Sequence, residues 1–150
     1  MPNATNSITP YLLYADLEGT MEWLTKAFGF RELMRKSGPD NKARHAEMAL
    51  GDTGVVMMGW PGPGYRNPKQ LGQVTNNLYV RIDDVDALFA RATQAGAVVL
   101  ERPADQPFGE RRCGLEDPEG HRWYFAQPIT DGSPAKRERD TAGKGPLLNP

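Results

Sequence analysis

A chain of 150 residues with 18 Lys plus Arg, 19 Asp plus Glu and a formal net charge of -1 suits one ordinary domain or two small halves sharing a core. That balance excludes the basic excess expected of a nucleic-acid partner, and no apolar run reaches the roughly eighteen residues of a membrane span. The single cysteine, Cys113, excludes an internal disulfide and a cysteine zinc site; with an N-terminus that lacks the pattern of a secretory signal, it predicts a cytoplasmic protein.

After a short N-terminal extension (1–6) the first apolar run, ITPYLLY, ends at Asp16. Leu17, Met21, Leu24, Ala27 and Phe28 then recur at helical spacing, with Asp16 placed to cap the first free N–H groups and Gly29 to stop the helix. His45–Leu50 and Val55–Met58 read as strands joined by the tight turn Gly51-Asp52-Thr53-Gly54. The stretch WPGPGYRNPKQLGQ (Trp60–Gln73) is too rich in Gly and Pro to predict a regular element, and reads as a lid or as a linker. The strand Asn77–Ile82 follows, then a helical stripe of Val85, Leu88, Phe89 and Ala92 between Asp84 and Gly96. Arg111–Glu116, the turn Asp117-Pro118-Glu119-Gly120 and His121–Phe125 predict a second hairpin. From residue 129 onward the chain is polar and rich in Pro and Gly, which predicts a flexible tail.

Two halves correspond. Asp16 and Asp84 are 68 residues apart, Gly29 and Gly96 are 67 apart, and each helix is followed by a strand, a turn and a strand. This predicts an α+β fold of two βαβββ modules, 7–59 and 75–128, joined by 60–74.

Strand alternation sorts the side chains. Leu78, Val80 and Ile82 face the helix, which sends Asn77, Tyr79 and Arg81 to the opposite face. Ala46, Met48 and Leu50 do the same for His45, Glu47 and Ala49. Trp123 and Phe125 pair as the helix-packed set, leaving Arg122 and Tyr124 on the other side. A face carrying His45, Glu47, Asn77, Tyr79, Arg81, Arg122 and Tyr124 reads as a ligand cleft once the repeat lets two curved sheets enclose it. Tyr11, Met58, Trp60 and Phe108 complete the predicted ligand-binding set, while Trp23 reads as core or dimer interface.

The opening ITPYLLYADLEGTMEWLTKAFGF and the closing FGERRCGLEDPEGHRWYFAQP, with Phe108-Gly109, Asp117-Pro118, Gly120-His121 and Trp123, resemble the vicinal oxygen chelate superfamily, in its glyoxalase/bleomycin-resistance branch. The resemblance covers about Ser7 to Pro128. It implies curved mixed sheets around a cleft, a homodimer, and either a metalloenzyme or a metal-free binder. The family's metal-ligand positions correspond to Thr9, Met58 (Met57 with a one-residue slip), Asn77 and Tyr124. A thioether, a phenol and two neutral oxygen donors are a poor set for a divalent catalytic metal, so no metal and no other cofactor is expected.

These readings converge on a metal-independent binder of an aromatic, neutral or anionic small molecule, of the resistance or sequestration type, with no nucleic-acid or membrane partner. The alternative is a lyase, isomerase or dioxygenase of the same superfamily, with a displaced metal site at His45 and Glu47 or with Glu47 as general base. A protein-interaction module is the third reading.

Overall fold

The computed structural model describes residues 6–129; the first five residues and nearly all of the polar tail lie outside them. The first module runs β1 (Tyr11–Leu13), α1 (Leu17–Phe28), β2 (Arg31–Ser37), β3 (Ala43–Leu50) and β4 (Gly54–Gly59). After the short helix α2 (Pro68–Leu71), the second runs β5 (Leu78–Arg81), α3 (Val85–Gln94), β6 (Val98–Asp105), β7 (Glu110–Glu116) and β8 (Arg122–Pro128). Each module folds into a four-stranded mixed sheet with the same order, β1-β4-β3-β2 and β5-β8-β7-β6. The first strand pairs parallel with the last in both, Tyr11 beside Met57 and Tyr79 beside Tyr124. The two βαβββ modules are therefore present, as a pair of sheets that do not close on each other.

The local reasons are those read from the chain. Asp16 accepts a hydrogen bond from the Gly19 amide, and Gly29 closes α1 with a left-handed φ of 82°, a conformation glycine reaches without strain. Asp84 caps α3 through the Ala87 amide. That helix stops at Gln94 with Ala95 as its cap, and Gly96 (φ 97°) turns the chain just beyond. The linker does contain a regular element, contrary to expectation. Pro68 starts α2, and Asn67 and Gln70 satisfy each other's backbone in a capping box, which offsets the unfavourable composition.

One core serves both modules. Met21, Leu24 and Phe28 of α1 pack with Ala46, Met48 and Met58 of the first sheet and with Leu115, Trp123 and Phe125 of the second. Phe28 lies 4.7 Å from the Phe125 ring and 5.4 Å from Trp123. The helices also meet directly. Trp23 donates its indole N–H to the Ala95 carbonyl at 2.8 Å, and Arg91 caps the C-terminal carbonyls of Lys26 and Thr25. Because α1 and α3 touch each other and α1 touches the helix-packed side of the far sheet, the helix-free faces are not turned toward one another. Among the described residues they enclose no common cleft.

The Asp-Pro-Glu-Gly-His turn locks this arrangement. Buried Asp117 accepts from the Tyr14 hydroxyl (2.7 Å), the Trp123 indole (3.0 Å) and the amides of Glu119 and His121. Glu119 reaches the start of α1, accepting from the Ala15 and Asp16 amides at 2.7 Å each and from the Asn67 side chain. His121 Nε2 and the Tyr65 hydroxyl both bond the Leu13 carbonyl. The resemblance motif is thus an inter-module clasp. It also fastens Tyr65 and Asn67 of the 60–74 segment, which runs along this junction.

Candidate functional site

Side chains on the helix-free face of the first sheet fall in two rows. Tyr11, Met57, Glu47 and Met34 are register partners across four strands; Leu13, Gly59, His45 and Lys36 form the next row. Tyr11 leans from its own row onto the other. A Cβ on Gly59 would lie 2.7 Å from the Tyr11 hydroxyl oxygen, so glycine is what lets the ring settle there. The hydroxyl meets His45 Nδ1 at 2.9 Å, and His45 Nε2 stands 3.5 Å from Glu47 Oε2. His45 and Glu47 are partly buried, whereas Tyr11 is 51% exposed.

The second sheet repeats the scheme with heavier partners. Tyr79, Tyr124 and Gly114 share one row; Arg81, Ala126 and Arg112 share the next. Tyr124 is laid over Gly114, where a Cβ would come 2.7 Å from its ring. Arg112, 6% exposed, stacks over Tyr124 at 5.4 Å and reaches the Phe108 ring at 5.9 Å. It is held by Glu101 at 3.1 Å and 3.2 Å. Tyr79 donates its proton to Glu110 Oε1 at 2.7 Å. Burial and the Glu110 carboxylate together push this phenol up to about 12.

Two buried side-chain atoms among the described residues lack a hydrogen-bond partner, Glu110 Oε2 and Arg122 Nε. Both belong to this face. Arg81 stands 2.8 Å from Glu110 Oε2, an ion-pair contact off-line for a hydrogen bond. Glu116 is 3.6 Å from Arg122 Nε, too far for one. Each atom thus has an ion-pair partner but no hydrogen bond. Its charges balance, with Arg81, Arg112 and Arg122 set against Glu110, Glu101 and Glu116.

Among the residues expected at the cleft, Tyr11, His45 and Glu47 come together on the first face. Tyr79, Arg81, Phe108, Arg122 and Tyr124 do so on the second. Asn77 is exposed just ahead of β5. Met58 departs from expectation: it is fully buried among core residues, and the register puts Met57 on the helix-free face beside Glu47. Trp60 also departs, packing against the core beneath the Arg44 guanidinium at 4.4 Å. Glu101, Glu110 and Arg112 were not anticipated as site residues. Parity from the buried Cys113 and Leu115 would have placed Glu110, Arg112, Gly114 and Glu116 together on the helix-free side.

A groove of about 840 Å³ lies between the β3–β4 turn and β5, with Tyr79 and Arg81 also on its lining. Phe30, Leu50, Val56, Leu78, Val80 and Trp123 are among the residues that wall it. Cys113 is buried, with its thiol pushed up to about 12 by desolvation, which makes it unreactive.

The fold family's divalent metal does not fit these residues. Met58 is in the core, Tyr124 lies under Arg112, and Thr9 and Asn77 are neutral donors ahead of their strands. His45 and Glu47 are engaged with Tyr11 and with each other. Among the described residues no three His, Cys, Asp or Glu side chains converge to hold a metal ion, and no helix is long and apolar enough to cross a membrane.

Two modules of this order, each with a helix-free polar and aromatic face, define the class. The family model for the Glyoxalase/Bleomycin resistance protein/Dioxygenase superfamily matches residues 6–125, and the chain belongs to that superfamily. The uncharacterized protein Rv0887c of Mycobacterium tuberculosis (strain ATCC 25618 / H37Rv) is 32% identical over 133 residues, covering 86% of this chain and 78% of the relative. TioX from Micromonospora sp. ML1 superposes with a TM-score of 0.67 at 34% identity, over 81% of this chain and 97% of TioX. TnmS3, an antibiotic binding protein from Streptomyces sp. CB03234, shares the fold at 23% identity and a TM-score of 0.59, over 84% and 99%.

Proposed function

We propose that this protein is a metal-independent binder of a neutral, planar aromatic molecule, of the resistance or sequestration type. The observation that carries it is a helix-free face on which the half-exposed Tyr79 ring and Phe108 flank a buried, ion-paired Arg112. Aromatic rings and a guanidinium plane suit a flat ligand. A solvated sheet face has no need to bury Arg112 and Glu110. The three balanced ion pairs favour a neutral ligand over the anionic one that Arg81 and Arg122 alone suggest. The same fold is that of an antibiotic binding protein in TnmS3.

Since the two helix-free faces of one chain point apart, the cleft requires a second copy. The first face of one protomer closes over the second face of the other, and the homodimer carries two such clefts. The exposed Tyr11 and Leu13, 51% and 38% accessible, are then covered.

Light scattering and a thermal-shift screen of planar aromatics test this. A dimer is expected, with stabilisation by a ligand at 100 times its Kd of about 2.7 kcal/mol. Tyr11→Ala and Phe108→Ala, neither of which lines the groove beside β5, should abolish the shift. A ligand that binds both variants undiminished but loses affinity in Val80→Trp sits in the 840 Å³ groove, and the assignment to the tyrosine faces then fails.

A further inference from the structure

The 68-residue offset makes Tyr11 and Tyr79 equivalent positions, and the two hydroxyls share one property that their different surroundings conceal. Tyr79 gives its proton to Glu110 Oε1 at 2.7 Å. A carboxylate only accepts, so the direction of that bond is fixed. The Arg112 guanidinium beside Tyr79 only donates, so it opposes Glu110 in its effect on the phenol and engages one lone pair of the hydroxyl oxygen, leaving the other. Tyr11 meets His45 Nδ1 at 2.9 Å, while Glu47 stands on the Nε2 side of the ring. A ring proton on Nε2, toward Glu47, leaves Nδ1 as an acceptor, and in that tautomer Tyr11 also donates inward. Lys36, the register partner of His45, is the other charged side chain of that row. Across the proposed cleft, Arg81, Arg112 and Glu110 would face it. Each phenol has spent its proton on its own module, and each keeps only oxygen lone pairs for anything that lies on the face.

We infer that Tyr11 and Tyr79 are specificity-determining residues that select ligands bearing a hydrogen-bond donor, a phenolic O–H or a ring N–H, at the level of the stacked rings. Glu110 Oε2, a buried acceptor that is ion-paired with Arg81 but makes no hydrogen bond, adds to the same selection. A ligand carbonyl has its counterparts in the arginines, Arg81 and Arg122. The inference rests on the aromatic-binding reading above and goes beyond it by fixing the polarity of the ligand's edge.

Three tricyclic probes of nearly one shape test it: carbazole (donor only), fluorene (neither) and fluorenone (acceptor only). Their affinities are measured by calorimetry or fluorescence on the full-length protein at about pH 8, where an imidazole is ordinarily neutral. Carbazole is expected to bind about threefold to tenfold tighter than fluorene, and fluorenone no tighter than fluorene. The carbazole advantage should collapse toward unity in the Tyr11→Phe/Tyr79→Phe double variant, whose thermal unfolding confirms that it folds. Glu110→Gln, whose amide can donate to Tyr79, should turn that hydroxyl outward and shift preference toward fluorenone. Fluorenone binding as tightly as carbazole to wild type, or a carbazole advantage that survives in the double variant, overturns the inference and leaves the aromatic site standing. Failure of all three probes to bind, fluorene included, overturns the aromatic reading itself.

Discussion

The helix-free faces of the two modules are built on one plan and finished in opposite ways. Each lays a tyrosine over a glycine and ties its first-strand tyrosine to a titratable side chain of the third strand. In the first module that tie is Tyr11 to His45, on a face where the tyrosine is half exposed. In the second it is Tyr79 to Glu110, beside a buried arginine and three ion pairs. The repeat therefore preserves geometry while chemistry diverges. The second face is pinned by charge, and the first is free to adjust to what lies on it.

The largest expected difference comes from the buried cation. Arg112→Met removes the partner of Glu101 and the lid over Tyr124, and should cost about 1.5–3 kcal/mol in chemical denaturation, the range for a hydrogen bond to a charged group, since Glu101 itself stays 32% exposed. His45→Ala, its opposite number in the comparison, should cost within about 1 kcal/mol because its hydrogen bonds lie near water. Equal losses would end the contrast between a pinned and an adjustable face.

Glycine gives the next effect. Gly114→Ala drives a Cβ into a Tyr124 ring trapped under Arg112, and should destabilise by about 1–3 kcal/mol through overpacking. Gly59→Ala meets only the exposed Tyr11 side chain, which can swing aside, and should change stability by less than about 0.5 kcal/mol.

A finer test is ionisation. Tyr79 holds its proton to about 12, above the ordinary phenol value near 10. The folded chain thus keeps a proton that the unfolded chain has lost, and this group's contribution to stability falls as pH rises from about 10 to about 12. Glu110→Gln should lower Tyr79 part of the way toward 10 in a phenolate absorbance titration and reduce that alkaline loss, the larger contribution of burial remaining. No movement of the titration would break the Tyr79–Glu110 assignment. Smallest in energy is the thiol: with burial pushing Cys113 up to about 12, alkylation at pH 8 should be absent until the chain unfolds, and rapid labelling would mean that the core opens locally.

Much of this was legible in the chain because the signals are local. Leu17, Met21, Leu24 and Phe28 mark a helix face by their spacing alone, and Asp16 and Gly29 mark its ends. Alternation placed His45 and Glu47 opposite Ala46 and Met48, and Tyr124 opposite Trp123 and Phe125. It was weaker where a strand carries few apolar residues. β2, with the sequence RELMRKS, is largely exposed and its pairing register shifts twice, which obscures any period of two. Met58 was misplaced because Val55–Met58 is apolar on both faces, so only the pairing with Ala46 decides its side. Glu110 and Arg112 escaped notice because their partners, Tyr79 and Glu101, sit on other strands.

The amino-acid sequence by itself determined two βαβββ modules, their helix ends and most of the residues on each helix-free face. These follow from repeats of two and 3.6 residues and from caps formed within three or four positions. Only the tertiary structure decided how the modules sit together. Tyr14 and Asp117 are 103 residues apart and meet at 2.7 Å, and Glu119 caps a helix that begins in the other half of the chain. Those bonds turn the two faces away from each other and set the question of what brings them together. No local pattern encodes such a contact, because neither partner's own neighbours reveal which distant group will satisfy it.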